Sequence, residues 1–209
     1  MRHLLLPSHS LAHLRTGRPR SCVIANAGVS EETAGLERDV VAATRSLFAT
    51  NVDGVFNTIL PLVGPMKERK AGRIVLMSSL ASQGPMAGAV AYSATKVAVR
   101  TYGEALRGLL YRDGVRVSVI CPGYTESDMT KANKNHMAGL MSMPAAVAII
   151  ADGISRDVPV IAFPTTLHTV FWLFARVLPP PLVHALSRRR LSFVPPTNYL
   201  RKRREKKTA

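Results

Sequence analysis

Residues 73–79 read Arg-Ile-Val-Leu-Met-Ser-Ser, and thirteen residues beyond Ser79, Tyr92 stands in Ala91-Tyr-Ser-Ala-Thr-Lys96. The first stretch is a short, nearly continuous apolar run closing on two hydroxyls. Strands covered on both faces have this composition, and such strands belong to parallel sheets. The second stretch has helical spacing. Tyr92 and Lys96 share one stripe with Val99, Gly103, Leu106 and Leu110. Residues four apart project from the same helix face, about 6 Å apart along the axis.

Three further runs read like the first: Ser21–Ala25, Val115–Cys121 and Val158–Phe163. Between the first two strands, Leu47, Phe48, Val52, Val55, Phe56, Ile59, Leu60 and Val63 recur at spacings of three and four. Before the last strand, Pro144 opens a helix to about Ser155, with Ser142 as its cap. Strand–helix–strand alternation of this kind predicts an α/β fold, a doubly wound parallel sheet of Rossmann-like type. No internal repeat is present.

The helical pair suits proton transfer. A phenol has an ordinary pKa near 10, too high for acid–base work at neutral pH. A neighbouring ammonium favours the phenolate and lowers that value. Tyr-x-x-x-Lys alone is a weak signal, since a surface tyrosine beside a solvated lysine fits it equally well. The strand-end serines make it specific. Ligands of parallel sheets bind beyond the carboxyl ends of the strands, where a hydroxyl can meet a substrate oxygen. Strand termination and capping account for Ser78; Ser79 is the candidate for chemistry.

Ser79, Tyr92 and Lys96, at this spacing and after this strand, resemble the catalytic triad of the short-chain dehydrogenase/reductase family. Asn26-Ala27-Gly28 after a buried strand is similar to that family's Asn-Asn-Ala-Gly element. Asn51, on the apolar stripe of its helix, occupies the place of the fourth catalytic member. Pro122-Gly123 resembles the turn beside the nicotinamide. The likeness covers roughly residues 21–165. It implies an oxidoreductase that interconverts an alcohol and a carbonyl with NAD or NADP. Tyr92 would be the general acid or base, and Lys96 would lower its pKa and bind the nicotinamide ribose. Ser79 would polarise the substrate oxygen, and Asn51 would hold a water leading to bulk solvent; the bland alternative for Asn51 is a buried amide satisfied by backbone. The cofactor contacts implied are Asn26, Ala27, Gly28, Tyr92, Lys96, Pro122, Gly123 and Ser127. A homo-oligomer formed through the helices of Asn51 and Tyr92 is implied as well.

The sequence departs from the family pattern at its start. A Gly-rich turn cradling the pyrophosphate should precede Asn26 by about 60–80 residues of strand and helix, yet only 25 residues precede it and Gly17 is the only glycine before Gly28. The expectation is therefore a chain truncated relative to the family, with a sheet incomplete in its N-terminal half. The Ser21–Ala25 strand should then be an apolar edge open to pairing or aggregation. Three accounts of residues 1–20 stand: a late start or missing coding segments, a targeting leader, or natural shortening with loss of catalysis. The last gives the alternative function, an inactive fold that binds a partner or membrane. Residue 25 is Ala where the family more often has Asn.

The chain of 209 residues carries a formal charge of +15, which is unevenly placed. Residues 1–20 hold four Arg and no acid, and residues 188–209 hold nine Lys or Arg against Glu205 alone. The middle is nearly balanced, so the charge belongs to the ends and no nucleic-acid partner is expected. Two cysteines, Cys22 and Cys121, form no disulfide framework, and no metal-ligand spacing occurs. The organisation expected is a leader at 1–20, a Rossmann-like catalytic domain at 21–165, and an apolar helix with a basic tail at 166–209. Thr165–Leu178 suits either packing on the domain or peripheral membrane contact. A cytoplasmic protein is expected. The segment Tyr124–Met143, with Met129, Met137, Met141 and Met143, reads as a lid over an apolar substrate, or as ordinary core.

Overall fold

In the computed structural model, residues 22–36, 39–131, 137, 139–179, 181–183 and 185 are described. The expectations for the leader and for the basic tail lie outside them. Four strands form one sheet: β1 (Cys22–Ala25), β2 (Gly72–Met77), β3 (Val115–Pro122) and β4 (Val160–Phe163). Every pair is parallel, and the order across the sheet is the order in the chain. Between β1 and β2 run α1 (Val40–Phe48), a π turn (Ala49–Asp53) and α2 (Gly54–Glu68). A 3-10 turn (Leu80–Gln83) and α3 (Val90–Leu110) join β2 to β3. The short α4 (Asp128–Lys131) and α5 (Met143–Ser155) precede β4, and α6 (Thr165–Val177) follows it.

Continuous apolar strands need cover on both faces, and most of this sheet has it. Ile74, Leu76, Val115 and Val117 pack on one side with Val55, Ile59 and Met66 of α2 and with Val99, Leu106 and Leu110 of α3. The alternate residues Val75, Ile120, Ile161 and Phe163 pack with Ala146 of α5 on the other. A close helix–sheet approach is at Gly103 of α3, where a Cβ would meet Val119 Cγ2 at 2.5 Å and Leu76 Cδ1 at 2.7 Å. The predicted stripe of α3 is therefore its buried face. Around α1 and α2 the stripe is shifted from the expected one: Leu62 and Met66 are buried while Phe48 and Leu60 are exposed.

Strand ends differ from the expected bounds by one or two residues. Val158 lies outside β4 because its N–H closes the end of α5 on the Gly153 carbonyl, through Asp157 at φ 56°. Ser142 precedes α5 as expected, but its hydroxyl makes no capping bond. β1 and β4 are the edge strands of this sheet, and in β1 Val23 and Ala25 are buried while Ile24 is 50% exposed. Among the described residues no strand pairs with the outer side of β1.

Candidate active site

Three segments leave the carboxyl ends of β1, β2 and β3, and the site lies where they converge. After β2, Ser78 and Ser79 turn the chain into the 3-10 element. Ser78 donates its hydroxyl to the Lys96 carbonyl at 2.8 Å, which fixes α3 to the strand end. Ser79 Oγ accepts from the Ala81 N–H at 3.1 Å. The capping role expected of Ser78 thus belongs to Ser79, and Ser78 is a helix anchor. The Ser79 hydroxyl donates to the Pro122 carbonyl at 3.5 Å, and it stands near enough to the Tyr92 phenol to favour the phenolate.

Lys96 is 3% exposed. Its ammonium donates to the Met77 carbonyl at 2.9 Å and lies 5.5 Å from the centre of the Tyr92 ring. Burial lowers its pKa from 10.5 to about 8, while the nearby Cys121 side chain acts in the opposite sense. The Tyr92 phenol is pushed above its ordinary value, chiefly by burial; the Ser79 hydroxyl opposes this and the Glu31 carboxylate adds to it. This corrects the expectation that Lys96 holds the phenol below its usual range. The ammonium is spent on a backbone carbonyl, and desolvation dominates at the phenol.

Asn51 is wholly buried in the π turn. Its Nδ2 donates to the Val29 carbonyl at 2.9 Å and to the Thr95 hydroxyl at 3.1 Å, and its Oδ1 accepts from the Val29 N–H at 2.8 Å. Thr95 in turn donates to the Tyr92 carbonyl at 2.8 Å. The side chain of Asn51 is therefore a clamp joining the loop after β1 to the first turn of α3. Both its amide hydrogens are committed, as in the backbone-satisfied alternative.

Gly28 lies against this cluster. A Cβ there would sit 3.2 Å from Lys96 Nζ and 3.3 Å from Asn51 Oδ1. Asn26 and Ala27 are exposed beside it. The Gly123 N–H donates to the Phe163 carbonyl at 2.7 Å, holding the Pro122-Gly123 turn to the end of β4. Ser127 caps α4: its N–H donates to Thr130 Oγ1 at 2.8 Å, and its hydroxyl accepts from the Thr130 N–H at 3.3 Å. Met141 packs with Ile120, Ile161 and Phe163, in the manner of core rather than of a pocket wall.

Four participants were not singled out in the sequence. Glu31 accepts from the Tyr92 N–H at 3.0 Å, supplying from another segment the cap that Ala89 cannot give. Thr95 and Val29 complete the Asn51 clamp. Tyr124 is near enough to act electrostatically on Tyr92. Thr95 was legible only through its place between Tyr92 and Lys96; Glu31 had no local signal. A groove of about 1360 Å³ adjoins Val97, Arg100 and Glu104, on a different face of α3 from the reacting side chains.

The local chemistry fits the nicotinamide end of a dinucleotide. Gly28 leaves open a cradle that a side chain would fill, and hydroxyl, phenol and ammonium surround one strand end.

Residues 18–138 match the family model for short chain dehydrogenases. An uncharacterised oxidoreductase of Myxococcus xanthus is 40% identical over 167 residues, which is 80% of this chain and 65% of that protein. An acetoacetyl-CoA reductase of Paracoccus denitrificans is 32% identical over 114 residues, 54% of this chain and 47% of that one. The chain thus spans 65% and 47% of the lengths of these relatives. Among solved structures, a 3-oxoacyl-[acyl-carrier protein] reductase of Brucella melitensis with bound NAD superposes with TM-score 0.59 at 27% identity, over 73% of this chain and 64% of that one. A short-chain dehydrogenase of Sphingobium yanoikuyae in complex with NADPH does so with TM-score 0.67 at 20% identity, over 75% and 62%, a likeness of fold alone.

Proposed function

Because this chain belongs to the short chain dehydrogenase family, we propose that it is an NAD(P)-dependent oxidoreductase interconverting an alcohol and a carbonyl, with Tyr92 as the general acid or base. The observation that carries this reading is the buried Lys96 ammonium 5.5 Å from the centre of the Tyr92 ring, at the strand end where Ser79 turns the chain. Ser79 polarises the substrate oxygen, and Tyr92 gives that oxygen a proton in reduction or takes one in oxidation. A phenol held above its ordinary pKa is protonated at neutral pH, so the resting site is set for carbonyl reduction. The Asn51 clamp and the Glu31 cap keep the first turn of α3 in register with the strand end, as positioning requires.

NAD or NADP, when bound, supplies or accepts the hydride. Asn26, Ala27, Gly28, Tyr92, Lys96, Pro122, Gly123 and Ser127 are the residues we assign to holding it. The cofactor class has support from similar solved structures, one of which carries NAD and another NADPH. The proposal extends to an apolar substrate and to a cytoplasmic homo-oligomer. Exposed Leu60 of α2 and Val97 and Leu109 of α3 support self-association.

Titration with NADH and NADPH, followed by cofactor fluorescence, tests the reading. Saturation with one of them below millimolar concentration is expected, and Tyr92→Phe, which loses one of the eight assigned contacts, should weaken that binding only slightly while losing about 10²–10⁴-fold in turnover. No saturation with either, or full turnover in the variant, would refute it.

A further inference from the structure

We propose that the outer face of helix α6 is a contact site for an anionic lipid bilayer. The helix is docked on one side only. Leu167 and Phe171 pack on Leu80, Val119 and Cys121, and Ala175 lies against Gly84. None of its thirteen residues is fully buried. Its outer side presents Val170, Trp172, Leu173 and Val177, exposed by 58%, 42%, 46% and 65%. Val170, Leu173 and Val177 are spaced by three and four and so lie on one face. Leu182, just beyond, is 45% exposed. A helix on the surface of a water-soluble domain ordinarily turns its polar side outward; this one has apolar residues on both.

The sequence beyond the helix decides what covers that face. Residues 188–209 hold nine Lys or Arg and a single acid, beginning eleven residues after Val177. A second protein surface would account for the apolar face and leave the charge without a role. A nucleic acid would account for the charge and leave the apolar face in water. An anionic bilayer takes both, since the apolar side enters the boundary between headgroups and acyl chains while the basic segment meets the acidic headgroups. Arg176, exposed among the apolar residues, can extend its head to the headgroup level. Two weak signals acting together give stable attachment where either alone gives little. The inference does not depend on the oxidoreductase reading.

Trp172 is the chain's only tryptophan, so its emission reports the environment of this face directly. The full chain is mixed with vesicles of phosphatidylcholine alone and of phosphatidylcholine with phosphatidylserine. Co-sedimentation with a blue shift of Trp172 emission is expected on the anionic vesicles only, weakening as salt is raised toward about 0.5 M. The double substitution Leu173→Ser/Val177→Ser should weaken binding by about tenfold or more. Both positions are exposed, and an unchanged circular dichroism spectrum checks the fold. Absence of binding to anionic vesicles, binding without the blue shift, or undiminished binding of the double variant would overturn the proposal. Preference for duplex DNA over the anionic vesicles would overturn it too.

Discussion

Lys96 costs the folded protein energy at neutral pH. Its ammonium is removed from water and compensated by one carbonyl, that of Met77, so its pKa falls from 10.5 to about 8. Between these values the unfolded chain holds the extra proton, so the residue's contribution to stability rises with pH across that window, and below about pH 8 the full cost is present. A displacement of this size corresponds to roughly 3 kcal/mol. Lys96→Met should therefore be more stable than the natural protein at pH 7, by about 1–3 kcal/mol after loss of the Met77 hydrogen bond. That advantage should shrink toward zero as pH approaches 10.5. Denaturant unfolding of both proteins across pH checks this, with Tyr92 and the cysteines common to both curves. Such a cost at a buried position marks a residue kept for its chemistry rather than for packing.

The elements around the site are held by few, specific contacts, and each can be broken singly. Asn51→Ala would leave Val29 N–H, Val29 C=O and the Thr95 hydroxyl without their partner, a loss of about 2–4 kcal/mol measurable by urea unfolding. Gly28→Ala would press a methyl group on Lys96 Nζ and Asn51 Oδ1, neither of which can withdraw without breaking its own hydrogen bonds. It should cost about 1–3 kcal/mol and raise the dissociation constant for cofactor. Glu31→Ala uncaps the Tyr92 N–H and should lower stability by about 1 kcal/mol. At this scale much was readable in advance. The stripe Lys96–Val99–Gly103–Leu106–Leu110 is the buried face of α3, because helical period and burial follow one geometry. The Asn51 clamp and the Glu31 cap were not readable in the same way. Each joins residues 22 to 61 positions apart through a loop that has no period. That the cap falls to Ser79 while Ser78 anchors α3 depends on which way each hydroxyl turns at the strand end, which composition does not encode.

For the molecule as a whole, parallel strands and alternating helices were legible from apolar runs and from the spacing between them. The edge position of β1 was expected too, and among the described residues no strand pairs with its outer side. Ile24, half-exposed on that edge strand, is the expected point of unwanted pairing, so Ile24→Lys should reduce concentration-dependent association in sedimentation experiments. The charge is also a property of the whole, concentrated at the ends and nearly balanced between them, and it bears on what the protein touches rather than on how it folds. The central claim concerns the meeting of Ser79, Tyr92 and Lys96 at the end of β2, and isotope transfer tests it most directly. Cofactor deuterated at the transferable position is incubated with a panel of apolar ketones, and the alcohols formed are read by mass spectrometry. Deuterium on the carbinol carbon with the natural chain, and almost none with Tyr92→Phe, is the predicted result. No labelled alcohol from any ketone, or equal labelling by the variant, would contradict it.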